Sequence, residues 1–361
     1  MVSINTDEDA QSSNENVMLK TIKQTLLGSA HSCGVFTFVQ KSTWRRERLL
    51  ILAYHGIAID DEHRWNPTLF MHPEFFRSRL KLIEKAGCAV LPLGDAIRRL
   101  YAGDLPEGAV ALTFDDGTYD FCKHAYPILK EFNFPVTLYL TTFYSHYNRP
   151  VFDVMVRYLL WKGQDAPLNL KELTGDALTF QLNTDAARAT VFKELYEFSA
   201  RNRLSAEQKD ELIFRLANLV RANYEDVVRK RILHIMTPEE VSRVAAGGVD
   251  IQLHTHRHRT PLDRELFLRE INDNRKCIQE MTGTVPTHFC YPSGNHQPPF
   301  LAWLRESGVE SATTCDPAIG TRRSDPLLLP RLVDSSTLSP IEFEGWLAGL
   351  SDMIPRRMTG T

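Results

Sequence analysis

Two short motifs combine residue types that could hold a metal ion. Residues 113–117 (TFDDG) end an apolar run with two adjacent acids, and residues 254–258 (HTHRH) carry three alternate histidines. Adjacent carboxylates resist joint ionisation, so a bound cation can neutralise one and leave the other free to act as a base. Two neutral imidazoles and one carboxylate bind Zn²⁺ well and leave positions open for water. The two motifs together therefore predict a catalytic metal site.

Each motif also has a simpler interpretation. Asp115 and Asp116 could be aspartates that cap the free amides of a helix N-terminus. The three histidines could form an exposed or pH-sensitive cluster. If they do bind a metal, the ligand pair is His254 with either His258 or His256, and the second choice would suit an amidohydrolase-type barrel. The residue types alone leave these alternatives open.

The surrounding sequence predicts elements that would bring the motifs together. Apolar runs predict seven buried strands, at residues 49–54, 89–93, 110–114, 136–140, 249–253, 287–290 and 310–314. Strands that alternate with helices indicate a parallel α/β sheet, and seven units favour an incomplete (β/α)7 TIM-like barrel. A parallel barrel places the carboxyl ends of all its strands on one face. His55, Asp115, His254 and Tyr291 each follow a predicted strand, so we expect them in one cleft.

The patterns also divide the chain into segments. We predict an N-terminal tail and helical lead-in over residues 1–48, a barrel over 49–145 and 236–345, and a C-terminal tail over 346–361. Residues 146–235 are charged and follow helical patterns, for example over 187–203 and 206–232, which predicts an inserted helical subdomain. Thr237 followed by Glu240 matches a capping box and predicts the start of a helix.

Composition limits the partners and the compartment. The 361 residues carry a net charge of −3, so no strong field attracts nucleic acid and we expect none as a partner. Six scattered cysteines without a CxxC pair favour a reducing compartment. No secretory signal is recognisable, and no apolar run approaches the ~20 residues of a membrane span. We therefore expect a cytoplasmic protein, with peripheral contact at the inner membrane through residues 26–39 as an open alternative. The sequence does not indicate an oligomeric state.

Together the motifs resemble the polysaccharide deacetylase family, the NodB-homology domain of carbohydrate esterase family four. TFDDG is that family's first motif, and HTHRH fits its second, H-S/T-x-x-H, which selects His254 and His258. Residues 290–294 (CYPSG) look like the third motif, R-x-P-Y/F-G. Residues 54–56 (YHG) and 329–331 (LPR) look like a subgroup that acts on exopolysaccharides. The resemblance covers roughly residues 49–145 and 236–335.

The resemblance implies a hydrolase that removes the N-acetyl group of amino sugars, in an N-acetylhexosamine polymer or its lipid-linked precursor, and releases acetate. Asp116, His254 and His258 would hold a divalent ion, with Zn²⁺ as the default and Co²⁺, Ni²⁺ and Fe²⁺ as alternatives. Asp115 would be the general base that takes a proton from the attacking water. A backbone N–H near Ser293 would stabilise the oxyanion. Three further residues are expected to contact the sugar: Tyr291, Pro292 and Tyr144.

Three departures from the family motifs leave parts of the site open. The arginine of the third motif, which holds the catalytic base, is Cys290 here, and we hypothesise that Arg331 replaces it. The fourth motif, D-x-x-D-W, is not recognisable. The histidine of the last motif, usually the general acid, is missing from residues 327–332, and His55 is a candidate for its role. Two alternatives therefore stand: a non-catalytic glycan-binding relic, and a hydrolase of a small cyclic amide or imide.

Overall fold

The computed structural model describes residues 20–147 and 149–354. Most of the predicted N-terminal tail and the last seven residues of the predicted C-terminal tail lie outside the described residues. Among the described residues, no helix is both long and apolar enough to span a lipid bilayer.

A curled, mostly parallel sheet forms the centre of the fold. Its parallel strands, in chain order, are β1 Arg48–Tyr54, β2 Val110–Phe114, β3 Thr137–Leu140, β4 Asp250–Leu253, β5 His288–Cys290, β6 Ser311–Thr313 and β7 Leu332–Val333. Around the sheet their order is β6-β5-β4-β3-β2-β1-β7, and each neighbouring pair is parallel. Leu329 bridges to Thr313 and Leu332 pairs with Leu52, so the segment around β7 reaches both edges. This is the predicted incomplete (β/α)7 barrel.

One predicted strand is wrong, and one parallel strand of the barrel was not predicted. Over residues 89–93 only Val90 forms a bridge, to Val110, and the helix Leu93–Ala102 begins directly after Pro92. Proline has no N–H to donate to a sheet, which explains why the extended segment ends there. The seventh strand of the barrel is instead β7, which is too short to show a pattern of its own. A two-residue strand, Gly320–Thr321, adds an antiparallel partner to the start of β1.

Helices follow the strands and cover the sheet with one apolar face each. In Arg264–Thr282, Phe267, Ile271 and Ile278 form a buried stripe at helical spacing. The predicted capping box is present at the start of Pro238–Ala246. Outside residues 146–235, the other helices of six or more residues are Val35–Gln40, Pro73–Lys85, Leu93–Ala102, Tyr126–Glu131, Pro298–Glu306 and Pro340–Ala348. A further helical stretch over residues 20–32 precedes them.

The described residues of 146–235, between β3 and the helix Pro238–Ala246, are largely helical and contribute most of a second apolar cluster. Their helices are Phe152–Lys162, Lys171–Thr174, Asp185–Arg201, Ala206–Leu219 and Tyr224–Lys230. Met155, Leu159, Val191, Leu195 and Leu216 are fully buried in that cluster. A small antiparallel sheet, Pro167–Asn169 with Thr179–Gln181, was not predicted, because its three-residue strands are too short to give a period.

Two further boundaries differ from the prediction. The helix predicted over 206–232 is two helices, because Arg221 adopts a left-handed φ of 56° and the side chain of Asn223 caps the second helix. Residues 346–354 of the predicted C-terminal tail are mostly helical, in Pro340–Ala348 and Leu350–Met353. Trp346 is only 3% exposed, so the described part of that segment packs against the rest of the chain.

Candidate active site and metal centre

The polar residues of the site lie at the carboxyl ends of β2, β4 and β5, and Arg331 joins them from the amino end of β7. Asp115 and Asp116 follow β2, and His254 follows β4. Cys290 is the last residue of β5, and Arg331 directly precedes β7. Because β2, β4 and β5 are parallel, the residues at their carboxyl ends meet at one face, and Arg331 reaches Asp115 from the start of β7.

One carboxylate and two imidazoles form a cluster that could bind a cation. Oδ1 of Asp116 lies 3.2 Å from Nε2 of His254 and 3.2 Å from Nε2 of His258. These ligand atoms all lie within 4.8 Å of one another. Oδ1 of Asp116 is buried and has no hydrogen-bond partner, which a buried carboxylate oxygen rarely lacks. A Zn²⁺-type ion ligated by this atom and the two nitrogens would satisfy it, so the residues present fit the metal.

The backbone places two of these ligands in an unusual conformation. Asp116 has a φ of 71° and His258 a φ of 53°, both in the left-handed region that non-glycine residues seldom adopt. Such strain persists only where the surrounding structure enforces it, and it is common at ligand-binding sites.

The chain orients His254 from two sides. Its Nδ1 lies 2.9 Å from the backbone oxygen of Cys290, which can only accept, so Nδ1 carries the proton and Nε2 is left to bind a metal. Its backbone N–H donates to Oδ1 of Asn274 at 2.9 Å. Nδ2 of Asn274 donates in turn to the backbone oxygen of Leu140 and to Oγ1 of Thr142. Asn274 therefore ties the end of β4 to the end of β3.

His256 does not share the site of His254 and His258. Its Nδ1 lies 2.8 Å from Oγ1 of Thr142, and its backbone N–H donates to the backbone oxygen of Glu270. Of the two histidine pairs that the sequence left open, the structure thus brings His254 and His258 to the carboxylate.

An arginine holds Asp115, which lies outside the cluster of Asp116, His254 and His258. Asp115 is 2% exposed, and Arg331 donates from Nη1 to Oδ1 at 2.8 Å and from Nη2 to Oδ2 at 2.7 Å. Burial alone would raise the pKa of Asp115, but the guanidinium outweighs it and lowers that pKa to about 2. Arg331 is itself fixed by bonds to the backbone oxygen of Thr314 and to Oγ1 of Thr113.

Cys290 occupies the position at which the family motif has an arginine. Its small side chain lies beside the guanidinium of Arg331. Nη2 of Arg331 lies 2.9 Å from Sγ of Cys290, and that sulfur lies 3.6 Å from Oδ2 of Asp115. The guanidinium thus reaches the carboxylate from β7 instead of from β5. This contact is the one hypothesised from the sequence.

His55 borders the same carboxylate. Its Nε2 lies 3.7 Å from Oδ2 of Asp115, beyond a normal hydrogen bond, and its side chain is 18% exposed. Its Nδ1 is buried without a hydrogen-bond partner. The ring is therefore placed beside Asp115 and retains a free nitrogen.

The residues predicted to contact the sugar lie in different environments. Tyr291 is fully buried and its hydroxyl donates to the backbone oxygen of Leu327 at 3.0 Å, so its predicted contact with substrate is wrong. Its side chain lies on the same side of the chain as Phe289, which packs against Phe267 of the covering helix Arg264–Thr282. Pro292 and Ser293 line an open cleft of about 300 Å³ beside His258. Tyr144 is half-buried and packs edge-on against Phe143.

Two residues that support the histidine motif were not predicted. Asn274 lies in the stripe that Phe267, Ile271 and Ile278 bury, and a polar residue in an apolar stripe is a signal that sequence analysis could have used. Glu270 is 1% exposed and accepts from the backbone N–H of Arg257 and from Nε of Arg259. The helix Arg264–Thr282 therefore holds the loop that carries the histidines.

Replacing Asn274 with Ala is expected to weaken metal binding by about 10- to 100-fold, because the support behind a metal-binding histidine is lost. Titration of the metal against a chelating dye measures this affinity directly, without reference to activity. The exposed Asn202, which caps the helix Asp185–Arg201, offers a matched Asn202→Ala control with unchanged affinity. An Asn274→Ala variant that binds metal as tightly as the wild type would show that Asn274 has no part in positioning His254.

Comparison with known proteins agrees with this geometry. A family model described as polysaccharide deacetylase matches residues 102–165 and 177–312, just over half of the chain. No curated protein sequence is significantly similar to the chain.

Several solved structures share the fold. The Streptococcus pyogenes deacetylase PplD, solved in complex with acetate, aligns with a TM-score of 0.54 and 19% identity over 85% of this chain and 99% of that chain. A de-N-acetylase from Aggregatibacter actinomycetemcomitans aligns with a TM-score of 0.52 and 16% identity, over 83% and 99% of the two chains. IcaB from Ammonifex degensii aligns with a TM-score of 0.50 and 15% identity, over 84% and 97%. The family model matches more than half of the chain, and the strand ends of the barrel bring the motif residues together. The chain therefore belongs to the polysaccharide deacetylase family, whose members hydrolyse the N-acetyl amide bonds of carbohydrates.

Proposed function

We propose that this protein is a metal-dependent N-deacetylase of an N-acetylhexosamine polymer or its lipid-linked precursor, which releases acetate and leaves a free amine. One observation carries the proposal. A three-ligand cluster of Asp116, His254 and His258 lies next to a separate buried carboxylate, Asp115, that is paired with Arg331.

The metal would be bound by Oδ1 of Asp116 and Nε2 of both histidines. When bound, a divalent cation such as Zn²⁺ supplies a Lewis acid that polarises the acetamide carbonyl and lowers the pKa of water. Two features support this assignment. Oδ1 of Asp116 has no hydrogen-bond partner, and the proton on Nδ1 of His254 leaves Nε2 free to bind the metal.

Asp115 would act as the general base. Its ionised carboxylate would take the proton of the attacking water, and Arg331 fixes the orientation of that carboxylate through both of its oxygens. The proton must then reach the departing amine for the carbon–nitrogen bond to break. His55, 3.7 Å from Asp115, is our candidate for delivering it.

The tetrahedral intermediate needs a donor for its oxyanion. The backbone N–H near Ser293 is our candidate, because Ser293 lines the cleft beside His258 and has a left-handed φ of 55°. Tyr144 and Pro292 are proposed to contact the sugar.

The shape of the cleft favours a polymer over a small cyclic amide. The cleft beside His258 opens to solvent, and Arg259 at its edge is 56% exposed on its side chain. The resemblance of residues 329–331 to an exopolysaccharide-acting subgroup points to that class of glycan. The solved relative with bound acetate contains the product that this reaction would release.

The test is acetate release from N-acetylglucosamine oligomers by protein stripped of metal with a chelator. We expect no release from the stripped protein and recovery on addition of Zn²⁺ or Co²⁺, because the metal supplies the Lewis acid. Release that survives complete stripping would overturn the metal dependence. Stoichiometric metal binding without release from any acetylated glycan would overturn the deacetylase and favour a binding role.

A further inference from the structure

The N-terminal helices expose large apolar side chains. Phe38 is 78% exposed and Leu26 is 63% exposed, which makes them two of the three most exposed large apolar residues in the described part of the chain. Ile22, one helical turn before Leu26, is 43% exposed. Single exposed apolar residues are ordinary, but three within seventeen positions form a local concentration.

These side chains point away from the face that docks on the protein. In Val35–Gln40, Phe36 is buried, and Phe38 lies about 200° further around the helix. Leu27 and Phe36 form one cluster with Ala348, so the helices are held against Pro340–Ala348 by these residues. Ile22 and Leu26, four residues apart, lie on one side of their helix. The apolar side chains are thus presented outward on helices whose inner side is already packed.

The same segment is strongly basic. Residues 20–48 contain six lysines and arginines and one glutamate, a charge of +5 in a chain whose net charge is −3. Two of these cations, Lys23 and Arg46, pair with carboxylates. Lys20 donates to a backbone oxygen, Arg48 stacks on Trp44, and Lys41 is exposed, so their charge is not cancelled by direct pairing with a carboxylate.

We propose that Ile22, Leu26 and Phe38, with Lys20 and Lys41, form a docking surface for an anionic lipid membrane. Exposed apolar residues together with basic residues on short helices are the combination that binds the interface of a bilayer, where apolar insertion and attraction to anionic headgroups add. The surface lies outside the catalytic cluster and does not depend on the proposed reaction.

The test is co-sedimentation of the full chain with vesicles of phosphatidylcholine, alone or mixed with phosphatidylglycerol. We expect binding to the anionic vesicles that weakens with added salt, since screening reduces attraction to the headgroups. The double variant Leu26→Ser/Phe38→Ser should bind about tenfold more weakly or worse, because its apolar insertion is lost. Lys20→Gln/Lys41→Gln should weaken binding to the anionic vesicles.

Leu262 provides a matched control, because it is 68% exposed but lies in the loop before Arg264–Thr282. Leu262→Ser should leave vesicle binding unchanged, and circular dichroism with thermal unfolding should show that every variant is folded. Three results would overturn the proposal: no sedimentation of the wild type, equal binding to neutral vesicles, or equal loss in Leu262→Ser. A dimer that dissociates in the double variant would assign the surface to a second copy of the chain and would also overturn it.

Discussion

Acetate release is expected to fall by about 10²- to 10⁴-fold when Asp115 is replaced by Asn, because the amide cannot accept the proton of the attacking water. Metal binding should persist, since the proposed ligands are Asp116, His254 and His258, and Asp115 is instead paired with Arg331. The variant also removes the negative partner of the buried Arg331, so its unfolding should be measured beside its rate. Initial rates with saturating Zn²⁺, together with the metal content of the purified variant, measure the two effects separately.

Asp120 offers a matched control only five positions away. It is also buried, and burial raises its pKa to about 8, so it is largely protonated at neutral pH and an amide resembles its normal state. Asp120→Asn should therefore keep most of the activity. If Asp115→Asn releases acetate at the wild-type rate, another group is the base and the assignment of Asp115 is wrong.

The part of the fold that the sequence predicts well is the part with strong local signals. The run at β2 is continuously apolar and ends at two aspartates, so both its position and its polar end are readable. The predicted meeting of Asp116 with His254 needs only the parallel arrangement of strands, which places their ends together whatever the packing details. The strand predicted at residues 89–93 is wrong because the prediction rested on apolar content alone. In the structure the chain turns at Pro92 directly into a helix.

The supporting residues depend on side-chain directions that no local pattern records. Asn274 reaches His254 across twenty positions, and Arg331 reaches Asp115 across 216 positions. Arg331 was found only because a family motif lacked its arginine, which left a buried carboxylate in need of a partner. Tyr291 was misplaced for a related reason, since motif position suggested the cleft while its side chain turns into the core.

The pairing of Arg331 with Asp115 is expected to matter for both stability and rate. Both side chains are almost fully buried, at 0% and 2% exposure, so Arg331→Ala leaves a buried carboxylate without its cation. Breaking one side of such a pair typically costs about 3–5 kcal/mol. We expect the free energy of unfolding to fall by about that much, and kcat for acetate release to fall as well, because Asp115 loses its fixed orientation. Urea unfolding and initial rates measure these effects, and the exposed Arg323 supplies an Arg323→Ala control.

Three further variants separate positioning from mere packing. Arg331→Lys keeps the charge but loses the two-pronged contact, so it should restore much of the stability while the rate stays low. Adding Cys290→Arg to Arg331→Ala returns a guanidinium to the position that the family motif gives it. Sγ of Cys290 lies 3.6 Å from Oδ2 of Asp115, so an arginine side chain at position 290 is close enough to reach that carboxylate. Partial recovery of kcat in that double variant, with Cys290→Ala alone near the wild type, would show that the site needs a guanidinium on Asp115 from either strand. If Arg331→Ala instead loses stability but keeps the wild-type kcat per folded molecule, Arg331 only packs against the base and does not position it.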